Sequence, residues 1–309
     1  MYAGIDLGGT NLKIGILDRQ NQLVYQDAMP TPADSGPDAL ISRIGSFLGQ
    51  ALAKFHSVES IGIGVPGVVS GDGIIRIAPN LRGWKNIDLA GKLTDNFHLP
   101  VAIDNDANTA ALAEMELGAG RKTRDFIYVT LGTGVGGAII IDRKLYRGAK
   151  GGAGEIGHMI IDIADEGAGR VEYRHGVLEE YLGRKQVARI AEEIAADYPE
   201  SYLRKIRQYD PFYISKAAGY GDECALLALE KVGFYLGIGI ASAVNLLDIP
   251  VIIIGGGMSL SHEKLFSSAL GTVRRRALPS VAESIEIRKA RFTKDAGIIG
   301  ACVLGKSML

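Results

Sequence analysis

The feature that most constrains this chain is a glycine-rich turn between two apolar strands, because the arrangement occurs twice. Leu7-Gly8 is followed by Asp18-Arg19, and Leu131-Gly132 is followed by Asp142-Arg143 over the same number of residues. Each copy has the pattern of a strand, a tight turn, a second strand and a hairpin. A repeated unit of this kind predicts two lobes of similar topology.

The rest of the chain mixes short buried strands with long helices. Apolar runs predict further strands at 61–65, 101–103, 251–254 and 285–287. Apolar residues at helical spacing predict helices at 37–55, from 107 onward, and at 177–197, 215–247 and 296–304. Strands interspersed with helices of this length indicate an α/β fold.

Composition and charge exclude several classes of protein. The 309 residues are 47% hydrophobic, enough for two lobes with cores of their own, and the net charge of −1 attracts neither nucleic acid nor an anionic membrane. Cys224 and Cys302 form neither a disulfide framework nor a metal motif. The first residues lack the pattern of a signal peptide, and the apolar runs are too short to span a bilayer. We therefore expect a cytoplasmic protein without a membrane or nucleic-acid partner.

The two glycine turns are candidates for binding phosphate. Consecutive backbone N–H groups in the turn from Asp6 to Thr10 could form an anion-binding nest, with Asp6 holding Mg²⁺ through water and Lys13 adding charge. Alone, this turn could also be a plain hairpin. The second turn, 131–137, has the glycine spacing of a dinucleotide fingerprint, but a strand follows it instead of a helix. A second phosphate nest fits that context better.

A third glycine cluster, Gly255-Gly256-Gly257, lies between a buried strand and a helix. The flat backbone of such a turn would let an adenine and its ribose lie against the chain. Three glycine turns on a duplicated lobe favour a nucleotide-binding protein.

Two further segments carry polar side chains suited to a sugar. Asp104-Asn105-Asp106 ends a strand before a helix, so one carboxylate could act as general base while its neighbours bind hydroxyls; the alternative is a helix N-cap. Glu155 and His158, flanked by glycines, could converge on adjacent hydroxyls, although a lone histidine is also common as a structural group.

Taken together, these motifs resemble those of the ROK family of sugar kinases, within the actin-like ATPase superfamily, over nearly the whole chain. The matching segments are Asp6-Leu7-Gly8-Gly9-Thr10, Gly64-Val65-Pro66-Gly67, Pro79-Asn80-Leu81 with Trp84, Asn105-Asp106, Leu131 to Gly137, Gly154 to His158, Leu178-Glu179 and Gly255-Gly256-Gly257. The resemblance implies a two-lobed actin-like (ribonuclease H-like) fold with duplicated βββαβαβα lobes. The lobes would be 1–114 with the closing helix 295–309, and 115–294, in a homodimer.

The resemblance also implies a role for each matching residue. Asp106 corresponds to the catalytic base, and Gly256 and Gly257 correspond to the adenosine site. The phosphate loops correspond to Gly8, Gly9, Thr10, Thr133 and Gly134. The ligands of the sugar hydroxyls correspond to Asn80, Asn105, Glu155, His158 and Glu179. The implied reaction is phosphorylation of a hexose or N-acetylhexosamine by ATP and Mg²⁺, with glucose at the 6-OH as first choice.

One segment departs from the family pattern. Members carry a Cys-x-Cys-Gly-x-x-Gly-Cys-x-Glu segment that binds a structural zinc together with the preceding histidine. Anchored on Glu179, the cysteine positions fall on Arg170, Glu172 and Val177. Since structural zinc favours cysteine and histidine, we expect no structural zinc, with His158, His175 and nearby acids as an alternative set of ligands. We expect hydrogen bonds and packing to hold residues 162–175, which leaves the positions of His158 and Glu179, and hence the sugar, open.

Three other functions compete with an ATP-dependent kinase. A ROK-type repressor would carry a helix-turn-helix before the first phosphate motif, which here begins at Asp6. A sugar-binding regulator that has lost catalysis would not need Asp106. A kinase that uses polyphosphate would not need the adenosine turn at Gly255-Gly256-Gly257.

Overall fold

The structure, a computed structural model, describes residues 1–163 and 175–309. In chain order, the first elements are β1 (Tyr2–Leu7), β2 (Asn11–Leu17), β3 (Leu23–Pro30), α1 (Pro37–Leu52), β4 (Ser60–Val65), β5 (Val68–Val69), β6 (Ile75–Ile77), β7 (Lys85–Ile87), α2 (Leu89–Phe97), β8 (Val101–Asn105) and α3 (Asp106–Leu117). They continue as β9 (Phe126–Leu131), β10 (Val135–Ile141), β11 (Lys144–Tyr146), α4 (Glu179–Leu182), α5 (Arg184–Ala195), α6 (Tyr202–Ile206), α7 (Pro211–Gly219), α8 (Glu223–Leu247), β12 (Val251–Gly255), α9 (Glu263–Arg276), α10 (Pro279–Ala282), β13 (Glu286–Lys289) and α11 (Ala296–Lys306).

The predicted duplication is confirmed by two five-stranded sheets of the same topology. The first sheet has the order β3-β2-β1-β4-β8, and the second has the order β11-β10-β9-β12-β13. In the first, β2 pairs antiparallel with β1 and β3, while β4 pairs parallel with β1 and β8. In the second, β12 is parallel to β9 and β13, and β11 is antiparallel to β10. This is the α/β arrangement that the sequence predicts.

The two copies differ at the hairpin that follows each glycine turn. Asp142 and Arg143 form a two-residue turn, with φ of 52° and 57°, that pairs Ile141 with Lys144. Both residues in the left-handed region match the twist of the flanking strands. The corresponding connection between β2 and β3 is five residues long, 18–22. The sequence repeat therefore predicts the strands but not the length of the turn.

The chain contains two compact units. Unit 1 comprises Met1–Arg124, Ala138–Gly154 and Lys294–Leu309, and unit 2 comprises Asp125–Gly137 and Glu155–Thr293. The predicted lobes, 1–114 with 295–309 and 115–294, stay a prediction.

Within unit 1, the closing helix α11 packs on β1, β4 and α3, as the resemblance implies. Glycines permit the close approach, since a Cβ on Gly62 would lie 1.8 Å from the carbonyl oxygen of Ala301, and one on Gly300 would lie 1.7 Å from that of Thr109. Any side chain at either position would push the helix away. The other face of the sheet packs on α1, through residues such as Leu40, Ile44 and Leu48 that are fully buried.

A small sheet of β5, β6 and β7 was not predicted. Its strands have two or three residues each, too few to show an alternating pattern in the sequence. The connection from β6 to β7 carries Asn80, which is exposed, and Trp84, which is buried.

In unit 2, the two predicted helical segments each contain two helices. Gly183, with extended backbone, separates α4 from α5. Gly221, with φ of 79°, precedes Asp222, whose carboxylate accepts a hydrogen bond from the Ala225 N–H and caps α8.

Among the described helices, α8 is the one long and apolar enough to span a membrane by length and composition. Of its most apolar window, 61% is buried inside the protein, and the helix packs on α5, α7 and α9. Such burial is typical of a core helix.

Candidate active site

The segment 104–106 places two carboxylates in opposite environments. Asp104, at the end of β8, is 3% exposed, and its carboxylate accepts hydrogen bonds from Asn105 N (2.8 Å), Asn108 Nδ2 (2.6 Å) and Arg147 Nε (2.7 Å). Asp106, the first residue of α3, is exposed. A buried carboxylate with three donors is an anchor, so the exposed Asp106 is the candidate general base of the two.

Asn105 is the N-cap of α3, which was the alternative interpretation of this segment. Its Oδ1 accepts from Ala107 N (2.8 Å) and Asn108 N (3.2 Å), and its Nδ2 donates to Gly67 O (3.0 Å). An amide carries two N–H donors, so one N–H of Asn105 remains for a sugar hydroxyl. Capping and sugar binding are therefore compatible at this residue.

The first glycine turn uses one of its own N–H groups. Gly8 N donates to Asn11 O (2.9 Å) and Gly8 O accepts from Thr31 Oγ1 (2.7 Å). Within the described residues, the N–H groups of Gly9 and Thr10 donate to no protein acceptor. Of the predicted anion nest, the backbone N–H groups of Gly9 and Thr10 are therefore the candidates for binding phosphate.

Asp6 and Lys13 lie opposite each other on β1 and β2, with Lys13 Nζ 3.6 Å from Asp6 Oδ2 and 3.1 Å from Lys294 O. The Asp6 side chain is 21% exposed, and a Cβ on Gly297 of α11 would lie 2.6 Å from its Cγ. Burial raises the pKa of the Asp6 carboxyl, and the Lys13 ammonium opposes that rise without cancelling it. A desolvated carboxylate of this kind is stabilised by a further cation, which fits the predicted Mg²⁺ role.

Asn80 lies beside the first glycine turn. A Cβ on Gly9 would be 3.6 Å from Asn80 Cβ, which is ordinary van der Waals contact. Within unit 1, a predicted sugar ligand and a predicted phosphate loop are therefore neighbours, although they lie about 70 residues apart in the sequence.

In unit 2, Glu179 contacts the second glycine turn directly. Its Oε2 accepts a hydrogen bond from Val135 N (2.8 Å), and a Cβ on Gly134 would lie 2.3 Å from the same oxygen. Gly132 N donates to Gly134 O (3.0 Å) inside the turn, and Thr133 is exposed. The Glu179 carboxylate therefore lies against the second glycine turn, which connects a predicted sugar ligand to a predicted phosphate loop.

Glu155 and His158 face each other across a 3-10 turn, Ile156–His158. Glu155 Oε2 lies 3.3 Å from His158 Nδ1, and both side chains are 43% exposed. A carboxylate at this nitrogen holds the ring in one orientation and leaves Nε2 to face a ligand. The two predicted sugar ligands therefore form a pair.

The third glycine cluster borders a cavity of about 590 Å³ in unit 2. Gly256, with φ of 76°, has no room for a side chain, since a Cβ would lie 2.3 Å from Leu131 O. A Cβ on Gly257 would meet nothing within 4 Å, and Gly257 lines the cavity. The volume suits a ligand the size of a nucleoside.

Most of the cavity wall was not predicted from the sequence. It adds residues from α5, α7 and the 3-10 turn Gly257–Leu260, namely Arg184, Asp210, Pro211, Phe212, Ser215, Lys216, Met258 and Leu260. Arg184 Nε donates to Asp210 Oδ2 (2.6 Å), while Phe212 and Leu260 are 66% and 69% exposed. In this part of the sequence, Asp210-Pro211 is typical of a helix start, but such a pattern does not indicate a ligand-binding wall.

The described residues contain no group of three or more His, Cys, Asp or Glu side chains that could hold a metal. Val177, at one of the three cysteine positions, is 6% exposed and has an apolar side chain. Arg170 and Glu172 lie outside the described residues. The described donors therefore do not fit a structural zinc.

Comparison with known proteins identifies the class. The sequence model of the ROK family matches residues 2–308. A glucokinase of Halalkalibacterium halodurans is 36% identical over 97% of this chain and 93% of its own length. A xylose repressor of Caldicellulosiruptor bescii is 29% identical over 97% of this chain and 76% of its own length. The crystal structure of a ROK family glucokinase from Streptomyces griseus, in complex with glucose and AMPPNP, matches with a TM-score of 0.83 at 30% identity and covers 99% of both chains.

The chain is a member of the ROK family and has the actin-like ATPase fold. The predicted family and fold are confirmed. The relatives include both glucokinases and xylose repressors, so family membership alone does not fix the activity.

Proposed function

We propose that this protein is an ATP-dependent sugar kinase that phosphorylates a hexose or N-acetylhexosamine, with glucose at the 6-OH as first choice. The observation that carries the proposal is the exposed carboxylate of Asp106 beside the anchored carboxylate of Asp104. A base at the carboxyl end of a strand and the start of a helix is held rigidly, as proton transfer in a fixed geometry requires.

The cavity of unit 2 fits the adenosine of ATP. Its open face at Gly257 admits a flat ring, and Phe212 and Leu260 offer apolar surface to the base. When bound, ATP with Mg²⁺ supplies the phosphoryl group and neutralises charge on it. Asp6 would hold the Mg²⁺, and the turns at Gly9-Thr10 and Thr133-Gly134 would hold phosphate oxygens.

In this mechanism Asp106 accepts the proton of the attacking sugar hydroxyl at its carboxylate. The candidate ligands of the other hydroxyls are the residues that the family resemblance indicates, namely Asn80, Asn105, Glu155, His158 and Glu179. We also propose that the enzyme is a homodimer in the cytoplasm and acts without nucleic acid or membrane.

Asp106→Asn tests the base. We expect turnover to fall about 10²–10⁴-fold, the usual range for loss of a general base, with the unfolding temperature nearly unchanged. Asp38→Asn is the matched control, because Asp38 is also an exposed aspartate in the first turn of a helix, and it should keep full activity. Full activity of Asp106→Asn would show that the assignment is wrong.

The substrate is tested by coupled release of ADP across glucose, mannose, fructose, N-acetylglucosamine and N-acetylmannosamine, with polyphosphate as a parallel donor. We expect the highest kcat/KM with glucose and ATP. Sugar binding without turnover would instead indicate a regulator, and turnover with polyphosphate alone would overturn the assignment of the donor.

A further inference from the structure

The chain lacks the thiolates that hold the zinc in ROK proteins, yet His158 and Glu179 still require support. We propose that a hydrogen-bonded clasp, formed by Asp162 and Tyr181 over a short backbone ladder, takes the place of the metal and positions both side chains for the sugar. This inference rests on the proposed function and deepens it. All residues that carry it belong to unit 2.

The backbone ladder joins residues 159–162 to residues 176–178. Ile160 and Val177 form an antiparallel β-bridge, and Gly176 O accepts from Ile161 N (2.8 Å) and Asp162 N (3.1 Å). Leu178 N donates to Met159 O (2.9 Å). These three backbone hydrogen bonds hold the two stretches in one register.

The ladder requires glycine at one point. Gly176 has φ of 65°, and a Cβ there would lie 1.9 Å from Asp162 O. Both the positive φ and the nearby carbonyl oxygen exclude a side chain at this position. The glycine that precedes the last zinc cysteine in the family pattern is thus retained here for the ladder itself.

The side-chain part of the clasp is the hydrogen bond from Tyr181 Oη to Asp162 Oδ2, at 2.8 Å. Tyr181 is 7% exposed, and its ring packs on Tyr235 of α8 with the centroids 4.4 Å apart. A phenol donating to a carboxylate in a partly buried place is a strong, directional bond. Because α8 is a buried core helix, the tyrosine pair fastens the ladder to the rigid part of unit 2.

The clasp acts on the predicted sugar ligands because it is adjacent to both in the sequence. Met159 directly follows His158, and Leu178 directly precedes Glu179. A backbone hydrogen bond joins Met159 to Leu178. Tyr181 lies on the same short helix as Glu179. A shift of this ladder therefore moves both side chains together, so the ladder can position them as a bound metal positions the residues around it.

The test uses Tyr181→Phe, which keeps the ring and removes the hydroxyl, and Asp162→Asn, which keeps an acceptor and removes the charge. Tyr220→Phe is the matched control, since Tyr220 is a unit 2 tyrosine that is 71% exposed. Hydrogen exchange of peptides covering 159–163 and 175–182 reports the ladder. Calorimetric titration with glucose, or with the sugar that wild type binds, reports sugar affinity without requiring turnover.

We expect exchange in both peptides to rise and sugar affinity to fall about tenfold in Tyr181→Phe, with a smaller effect in Asp162→Asn. The KM for ATP should change less than the sugar affinity, because no clasp residue lines the cavity and the clasp reaches the second glycine turn only through Glu179. Unchanged exchange in Tyr181→Phe would overturn the clasp. Faster exchange with unchanged sugar affinity would overturn its positioning role. Failure of wild type to phosphorylate any sugar would overturn the proposed function, and the exchange and binding results would still decide the clasp.

Discussion

At the scale of the residue, neighbouring side chains of the same type serve different purposes because their surroundings differ. Gly256 and Gly257 are adjacent, yet the first has no space for a methyl group and the second faces open space along the cavity. The backbone conformation and the nearby carbonyl require glycine at 256, whereas glycine at 257 leaves the cavity open. The same distinction separates Asp104 from Asp106.

Alanine substitutions separate the two glycines. Gly256→Ala should lower the free energy of unfolding by about 2 kcal/mol, because the residue has positive φ and a Cβ would meet Leu131 O. Gly257→Ala should leave unfolding within about 0.5 kcal/mol of wild type. Its methyl group should raise the KM for ATP about tenfold without changing the KM for sugar. Thermal unfolding measures the stability of each variant, and steady-state kinetics measures its KM values. Equal stability and equal KM for ATP in the two variants would contradict the different roles given to Gly256 and Gly257.

The ionised carboxylate of Asp6 is expected to lower the stability of the fold although the proposed Mg²⁺ role requires it. Its raised pKa means that the folded protein binds this proton more tightly than the unfolded chain does, so its ionisation destabilises the fold as pH rises above the ordinary aspartate value. Asp6→Asn should therefore unfold at a higher temperature than wild type at pH 7. The difference should shrink as the pH falls below the ordinary aspartate pKa of 3.8, because the carboxyl then becomes neutral in both states. Activity with Mg²⁺ should fall, and a variant less stable than wild type at pH 7 would contradict the prediction.

At the scale of the element, the segment after β11 makes contacts with β8, the strand that directly precedes the candidate base. Arg147 Nε donates to the buried Asp104, and Arg147 O accepts from Ala153 N at 3.1 Å. A Cβ on Gly151 would lie 1.8 Å from Val69 O, so this segment packs directly on the backbone near β5. These contacts join residues more than 40 positions apart within unit 1.

Arg147→Met tests this connection. The change leaves Asp104 buried with two donors instead of three, and we expect a loss of about 2 kcal/mol in the free energy of unfolding. The value is below that of a fully buried ion pair because the Arg147 side chain is 40% exposed. Urea unfolding measures this loss, provided that the slope of the unfolding free energy against urea concentration is the same in both proteins. Arg43→Met, on the exposed face of α1, is the control. An unchanged midpoint would show that the ion pair does not stabilise unit 1.

At the scale of the whole molecule, the two five-stranded sheets have equivalent strand orders, but different strands and helices are inserted around each of them. The first copy is extended by the small sheet and Asn80, and the second by helices α4 to α8, of which α5 and α7 line the cavity of unit 2. The duplicated part contains the first two glycine turns, and the additions contain most of the other candidate site residues.

Metal analysis is the test at this scale. We expect purified protein to contain far less than one zinc per chain, because the described donors do not fit the metal. Sugar affinity should be the same before and after treatment with a zinc chelator. One tightly bound zinc per chain would refute the prediction, and loss of affinity on chelation would also contradict the clasp.

The sequence by itself determined the strands, the repeat and the positions of the motifs. The spacing from Leu7 to Asp18 and from Leu131 to Asp142 predicted the common topology, since periodic patterns and glycine turns are local properties of the chain. The family and the fold followed from the same motifs.

Only the tertiary structure decided which aspartate is the anchor and which is exposed, because the three donors to Asp104 come from its own strand end, from α3 and from Arg147. It also brought Glu179 onto Gly134 and assembled Arg184, Phe212 and Leu260 around one cavity. Contacts between residues far apart along the chain depend on how helices and sheets pack, and no short-range pattern encodes them.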